Sequence, residues 1–356
     1  MHRFAKRFQF PAALATTFYR HVATLESIKG QWQLTNTLSP QIIQRLQTSV
    51  LVTSTGASTR IEGSQLSDQQ VQDLYQQQHI TRFKTRDEQE VGGYIEVLQT
   101  IFEQWRHIPL SENTILGLHQ QMLQHAVKDA RHRGSYKFGP NRVEAKDHTG
   151  TVVGIIFDPT PPYLVAKEMH ELIDWTRQAL SDDQLPALFI IANFVFEFLA
   201  IHPFQDGNGR LSRLLTNLML LQAGFQYCPF VSHEKIIEDN KADYYLALNQ
   251  TQQHWKTDNE DITPWLRFFF SMLETQGQQA LQLMTEQPTA LFLSDKQNQI
   301  WNYIQTVGSV SRGEIIRATD LNSRTVDHTL KKLLNMRKLA RYGQGRATRY
   351  RLMQTI

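Results

Sequence analysis

The stretch His202-Pro203-Phe204-Gln205-Asp206-Gly207-Asn208-Gly209-Arg210, followed by Arg213, concentrates the reactive chemistry of this chain. Gly207 and Gly209 let the backbone take positive φ or approach a ligand closely. They stand where a new helix begins. Unpaired N–H groups there, with a dipole equivalent to about +0.5 charge, attract anions. Arg210 and Arg213 are three apart, share a helix face and carry forked donors suited to phosphate. Asp206 adds a hard oxygen ligand that suits Mg²⁺. His202 titrates near neutrality and suits a general base. Base, metal ligand, anion nest and two guanidinium groups make the inventory for moving a phosphate-containing group onto a hydroxyl. The sequence has no GxxxxGK[ST] run, so the site is not a P-loop.

These residues need a frame. An apolar helix over 185–200 ends near Ile201, and Pro203 prevents its simple continuation. The next helix, 210–223, puts Leu211, Leu214, Leu215, Leu218 and Leu221 on a buried side and ends at Gly224. Helical periodicity also predicts helices over 13–29, 40–52, 67–78, 86–106, 115–126, 163–180, 240–254 and 262–285, with Ser111 as an N-cap. Residues 134–162 break this pattern with Gly134, Gly139, Pro140, Gly150, Gly154 and Pro159-Thr160-Pro161-Pro162. Between them, Arg142–Glu144 and Thr151–Phe157 read as a β-hairpin around the turn Asp147-His148-Thr149-Gly150. Upstream, Ser58 and Glu62 are four apart and share a helix face, and Gly63 can end that helix.

The motif resembles the signature of the Fic-domain family, HxFx(D/E)GNGRxxR, at every fixed position from His202 through Arg213. The resemblance covers about residues 50–275 and implies a mainly α fold: a Fic helical core with a β-hairpin flap. It implies a Mg²⁺-dependent protein adenylyltransferase, which transfers AMP from ATP to a Ser, Thr or Tyr hydroxyl of a target protein or of itself. In that reading His202 deprotonates the hydroxyl, and Asp206 holds the Mg²⁺. The backbone and side chains of Gly207, Asn208 and Gly209 cradle the phosphates. Arg210 binds the phosphate chain and Arg213 holds the γ-phosphate. Tyr244 and Tyr245 resemble the aromatic pair that flanks the adenine. On the flap, Val153, Gly154, Ile155 and Ile156 would pair with the target's backbone. Ser58-Thr59-Arg60-Ile61-Glu62-Gly63 is similar to the family's inhibitory motif, (S/T)xxxE(G/N). It implies that Glu62 reaches Arg213 and misaims ATP. In some relatives this glutamate also positions a water that removes AMP, so de-AMPylation stays open.

Charge divides the chain. Residues 295–356 carry 12 Lys+Arg against 4 Asp+Glu, whereas the whole chain of 356 residues is only +3. Such a basic tail suggests an anionic partner, nucleic acid first. Its helices, 296–305, 312–318 (capped by Ser311) and 325–336 (capped by Asn322 or Ser323), precede strands 338–341 and 348–352 around Gly343-Gln344-Gly345. This resembles the winged helix-turn-helix domain often fused to Fic cores. In a DNA-binding version Arg324, His328, Lys331 and Lys332 would face the major groove, and wing residues Arg346 and Arg349 would touch phosphate. The expected organisation is an N-terminal helical segment (1–110), a catalytic domain (111–275), a linker (276–294) and the winged helix (295–356). A different reading is a DNA-binding regulator whose Fic core senses nucleotide and modifies only itself. A narrower one keeps an enzyme that transfers phosphate or phosphocholine.

The remaining features exclude more than they assign. One cysteine, Cys228, rules out a disulfide scaffold and a Cys-built zinc site. His170-Glu171 is no zinc motif, because Asp174 stands where HExxH needs its second His. His119 and His125 read as ordinary. The basic N-terminus has no apolar core segment, so no secretory signal is expected. Leu185–Ile201 contains Asn193 and Glu197 and is short for a membrane span. A soluble, cytoplasmic protein with no membrane partner is expected, with a homodimer as one option.

Overall fold

The structure is a computed structural model of the chain; it describes residues 2–35, 40–76, 83–141, 143–146, 152–182, 184–285, 293–336, 338–343, 345 and 348–353. The expected turn at 147–150, Arg142, Thr151, Pro288, Gln344 and Arg346 lie outside these residues. The chain is mainly α and divides into two compact units: Met1–Thr37 with Leu46–Leu281, and Leu38–Arg45 with Gln282–Ile356.

Helices of the larger unit are α1 (Arg3–Lys6), α2 (Ala12–Thr35), α3 (Pro40–Ile61, from Leu46 onward), α4 (Asp68–Gln76), α5 (Arg86–Gln104) and α6 (Glu112–Met122). A hairpin, β1 (Val143–Lys146) and β2 (Val152–Phe157), follows. Then come α7 (Pro162–Asp182), α8 (Ala187–Ile201), α9 (Asn208–Gln222), α10 (His233–Asp239), α11 (Lys241–Gln252) and α12 (Thr263–Thr285). Residues 276–285, assigned to a linker from sequence, are the last turns of α12.

Helix α8 is apolar all round, so it can only sit in the middle of the unit, and every residue from Leu188 to Ile201 is buried. Helix α9 buries its leucines against it. The N-terminus reaches both polar residues of α8. Arg7 donates to Asn193 Oδ1 at 2.8 Å and pairs with Glu197 at 2.8 Å, while Arg3 and Trp255 also reach Glu197. Backbones approach closely at Gly93 of α5, where a Cβ would lie 2.0 Å from the Met122 carbonyl of α6. That glycine lets α5 and α6 pack without side chains between them.

The smaller unit contains α13 (Asp295–Val307), β3 (Ser309–Val310), α14 (Arg312–Thr319), α15 (Ser323–Asn335), β4 (Leu339–Tyr342) and β5 (Arg349–Leu352). The strands form an antiparallel sheet in the order β3-β5-β4. Ser311 and Asn322 cap α14 and α15, and Ile300, Trp301, Ile304, Ile315, Val326, Leu330 and Leu333 close the core. Strand β3 was not expected; two residues are too few to leave an alternating pattern.

Candidate active site

Two backbone reversals build the site. Helix α8 ends with His202 at φ 52°, whose N–H still bonds the Phe198 carbonyl, and Pro203 then blocks another turn. Gly207 opens α9 at φ 81°, a conformation that demands glycine, and a Cβ there would also push on the Met122 methyl at 2.7 Å. The Asn208 carboxamide is spent inside the loop: it accepts from Phe204 N at 2.8 Å and donates to Phe204 O at 2.7 Å. Its side chain therefore shapes the turn. No side chain caps α9, which leaves its first N–H groups to a ligand.

His202 is half-buried, and its Nδ1–H donates to the Leu199 carbonyl at 3.3 Å. Nε2 is thus the basic nitrogen. Burial, assisted by the positive charge of Lys137, pushes its pKa down to about 4, against the opposing pull of Leu199 O, Glu62 and Asp206. Asp206 Oδ1 accepts from Gly207 N and from Arg210 Nη2 (2.9 Å), and Oδ2 accepts from Arg86 Nη2 at 2.6 Å. Burial would raise this carboxyl, but Arg210, the Gly207 N–H and Arg86 outweigh it and hold it below the usual carboxylate range.

Arg213 is buried and saturated from one side. Its Nε donates to Ser58 Oγ (2.8 Å), and its Nη2 donates to Ser58 O (2.9 Å) and Glu62 Oε1 (2.7 Å). Glu62 follows directly on α3, whose last carbonyl, Ile61 O, is bound by Lys241 Nζ at 2.7 Å; Gly63 at φ 108° turns the chain away. A Cβ on Gly209 would stand 2.1 Å from Glu62 Oε1. The carboxylate therefore rests over the start of α9, in the seat an anion would take. Among the described residues the buried Arg213 Nη1 and Arg210 Nε have no hydrogen-bond partner.

Several residues here had no local signal in the sequence. His119, read as ordinary, is fully buried against Phe204. It accepts from Gly134 N (2.9 Å) and donates through Nε2 to the Asp206 carbonyl (3.0 Å). Lys137 and Asn141 lace the turn from outside. Lys137 N donates to Pro203 O (2.9 Å), its buried Nζ to Ile201 O (3.2 Å), and Asn141 Nδ2 to Phe204 O (2.9 Å). Arg86, Glu90 and Asp129 join Asp206 from α5 and the segment after α6.

The remaining expected residues are placed as follows. Tyr244 is 3% exposed and closed in by Trp265 and Phe268, whereas Tyr245, edge to face with it, is 36% exposed. Tyr245 is the ring with surface left for a base. Val153, Gly154, Ile155 and Ile156 lie in β2, with Ile155 opposite Glu144 and Gly154 opposite Ala145. Among the described residues the sheet has two strands, so each has one unpaired edge.

Residues 109–220 match the family model described as Fic/DOC. The chain is 30% identical over 185 residues to the protein adenylyltransferase Fic of Nematostella vectensis, covering 50% of this chain and 36% of that protein. It is 30% identical over 121 residues to a probable protein adenylyltransferase of Aquifex aeolicus, covering 33% and 37%. The chain thus spans little more than a third of the curated relatives it matches. A Fic family protein from Desulfovibrio desulfuricans shares the fold over 98% of both chains, at TM-score 0.63 and 23% identity. Fic-1 of Caenorhabditis elegans aligns over 76% of this chain and 74% of its own, at TM-score 0.58 and 22% identity. The matched Fic segment contains both reversals and the motif from His202 to Arg213.

Proposed function

We propose that this protein is an adenylyltransferase that moves AMP from ATP onto a hydroxyl of a target protein or of itself, restrained by Glu62. One observation carries the reading: the anion seat at the start of α9, walled by Arg210 and Arg213, is taken by the protein's own carboxylate. The buried donors Arg213 Nη1 and Arg210 Nε, both without partners among the described residues, fit a phosphate chain. Target oxygen bonds to the α-phosphorus, the bond to the β-phosphate oxygen breaks, and pyrophosphate leaves. His202 Nε2 takes the hydroxyl proton as that bond forms. The α9 N–H groups and Arg210 hold the phosphate oxygens. Arg213 takes the γ-phosphate only after Glu62 has left.

The Asp206 carboxylate, a hard oxygen donor beside this nest, fits Mg²⁺, which when bound neutralises phosphate charge and fixes the chain for in-line attack. The open edge of the hairpin would take the target's backbone as an added strand. Removal of AMP through Glu62, a homodimer and a cytoplasmic location belong to the same proposal, tested by release of AMP from labelled product, by sedimentation and by cell fractionation.

The test is transfer of label from ATP carrying it at the α- or the γ-phosphate, in wild type, Glu62→Gly and His202→Ala. Label retained from α-ATP alone, stronger by about tenfold or more in Glu62→Gly and absent in His202→Ala, is the expected result. Label from γ-ATP alone would replace AMP transfer by phosphate transfer. Equal labelling of wild type and Glu62→Gly would remove the brake from the reading.

The smaller unit supports a second function, duplex DNA binding through α15. Arg324, His328 and Lys331 are exposed on that helix. Arg349, however, donates to Ser309 O and pairs with Glu314, both at 3.1 Å, so this wing residue is already engaged. A gel shift that weakens steeply with salt is expected, and less so for Arg324→Ala.

A further inference from the structure

We propose that Glu90, Asp129 and Asp206 form a binding site for a divalent, oxygen-preferring cation that works without nucleotide, and that Arg86 is its built-in stopper. Among the described residues these three acids bring one ligand atom each to within 4.8 Å of one another. Opposite ligands of a hard cation stand about 4.2–5.2 Å apart, twice its usual bond length to oxygen, so one ion can span the three.

Each carboxylate has one oxygen engaged by a partner other than Arg86: Glu90 Oε2 by Arg210 Nη1 at 2.8 Å, Asp206 Oδ1 by Arg210 Nη2 at 2.9 Å, and Asp129 Oδ1 by His132 Nε2 at 3.1 Å. The other three depend on one side chain. Arg86 Nε binds Glu90 Oε1 and its Nη2 binds Asp206 Oδ2, both at 2.6 Å. The third of them is left over. Asp129 is 4% exposed, and among the described residues its Oδ2 has no hydrogen-bond partner; Arg86 Nη2 stops 3.9 Å away. A buried carboxylate oxygen without a donor is costly. A planar guanidinium engaged with two carboxylates stops short of it, whereas a spherical ion does not have that restriction.

Charge points the same way. Three carboxylates with Arg86 and Arg210 leave one negative charge; a divalent ion in place of Arg86 leaves none. Arg86 is also the mobile partner, because its side chain is 46% exposed at the first residue of α5 while Glu90 and Asp129 are fixed inside. All-carboxylate ligation selects Mg²⁺, Mn²⁺ or Ca²⁺ over softer metals.

This inference shares Asp206 with the proposed transferase, and its test is read without ATP. Nucleotide-free, full-length protein is titrated with Mn²⁺, and free Mn²⁺ is followed by electron paramagnetic resonance. Arg86→Gln is expected to tighten Mn²⁺ binding by about tenfold or more, and Asp129→Asn added to it to lose that gain. Ca²⁺ should displace the Mn²⁺. Identical binding by wild type and Arg86→Gln would overturn the proposal. So would an Arg86→Gln protein indifferent to Asp129→Asn, provided circular dichroism shows both folded. Tightened Mn²⁺ binding without label transfer from ATP would leave this site standing and sink the transferase. Transfer without any effect of Arg86 on Mn²⁺ would do the reverse.

Discussion

His202 and Lys137 carry the argument at the residue scale. With burial holding the imidazole down to about 4, His202 is neutral throughout the physiological range. Labelled-histidine NMR should show the ring that is missing from the His202→Ala spectrum titrating near pH 4, as buried His119 also should; a midpoint near the ordinary 6.5 for the His202 ring would refute this. The groups that set it are Lys137, Glu62 and Asp206 with the Leu199 carbonyl. Because the folded pKa lies below the unfolded one, protons favour the unfolded chain, so this histidine's share of stability is present above pH 6.5 and lost as pH falls towards 4. Lys137→Met removes a positive neighbour and should move the midpoint upward. It also removes the bond to Ile201 O, so the NMR titration distinguishes loss of charge from loss of fold. Neither Lys137 nor His119 was legible in the sequence. Their partners lie 64 and 87 positions away, and no spacing rule reaches that far.

At the scale of elements, local signals served well where local physics rules. Pro203, Gly207 and the Ser111 cap mark boundaries that the chain keeps, because they depend on φ and on capping donors nearby. Helix α3 is different: a helix over 40–52 and a separate helical turn bearing Ser58 and Glu62 were expected, and the two are one helix that runs on to Ile61. Its extension holds Ser54, Thr55, Gly56, Ala57, Ser58 and Thr59, all buried, so close packing of small residues overrides poor helix propensity. That extension delivers Ser58 and Glu62 to Arg213. Two glycines should behave oppositely. Gly207→Ala meets both φ 81° and the Met122 methyl, and should cost about 1–2 kcal/mol or more. Gly30, inside α2 with nothing within 4 Å of its Cβ position, should gain up to about 1 kcal/mol as alanine. Calorimetry should therefore give Tm shifts of opposite sign.

Across the whole molecule, the apolar pattern revealed a helical body and a separate basic unit, but not how the N-terminus is used. Arg3 and Arg7 reach into the centre of the larger unit and neutralise Glu197 on α8, five residues before His202. Burial raises this carboxyl, but Arg7 and Arg3 outweigh it and hold it below its ordinary value. Its stabilising share is therefore present above the unfolded carboxylate pKa and lost as pH falls through the folded one. Glu197→Ala leaves buried Arg7 with Glu260 as its counter-charge and the Asn193 carbonyl oxygen, and should cost about 3–5 kcal/mol, read as an earlier urea midpoint. An unchanged midpoint would mean that this network contributes nothing net. The sequence displayed Glu197 only as a reason against a membrane span. Among the described residues no helix is long and apolar enough for one.

The lacing by Lys137 and Asn141 has a consequence for accuracy. The length of chain that enters β1 is the same length that ties down the turn bearing His202. If a target strand docks on the hairpin, as proposed, its pull is transmitted at once to the base. Choosing a partner and becoming able to modify it are then one event. A protein that grips the hairpin badly also leaves the base badly set, so wrong partners are refused twice by a single contact.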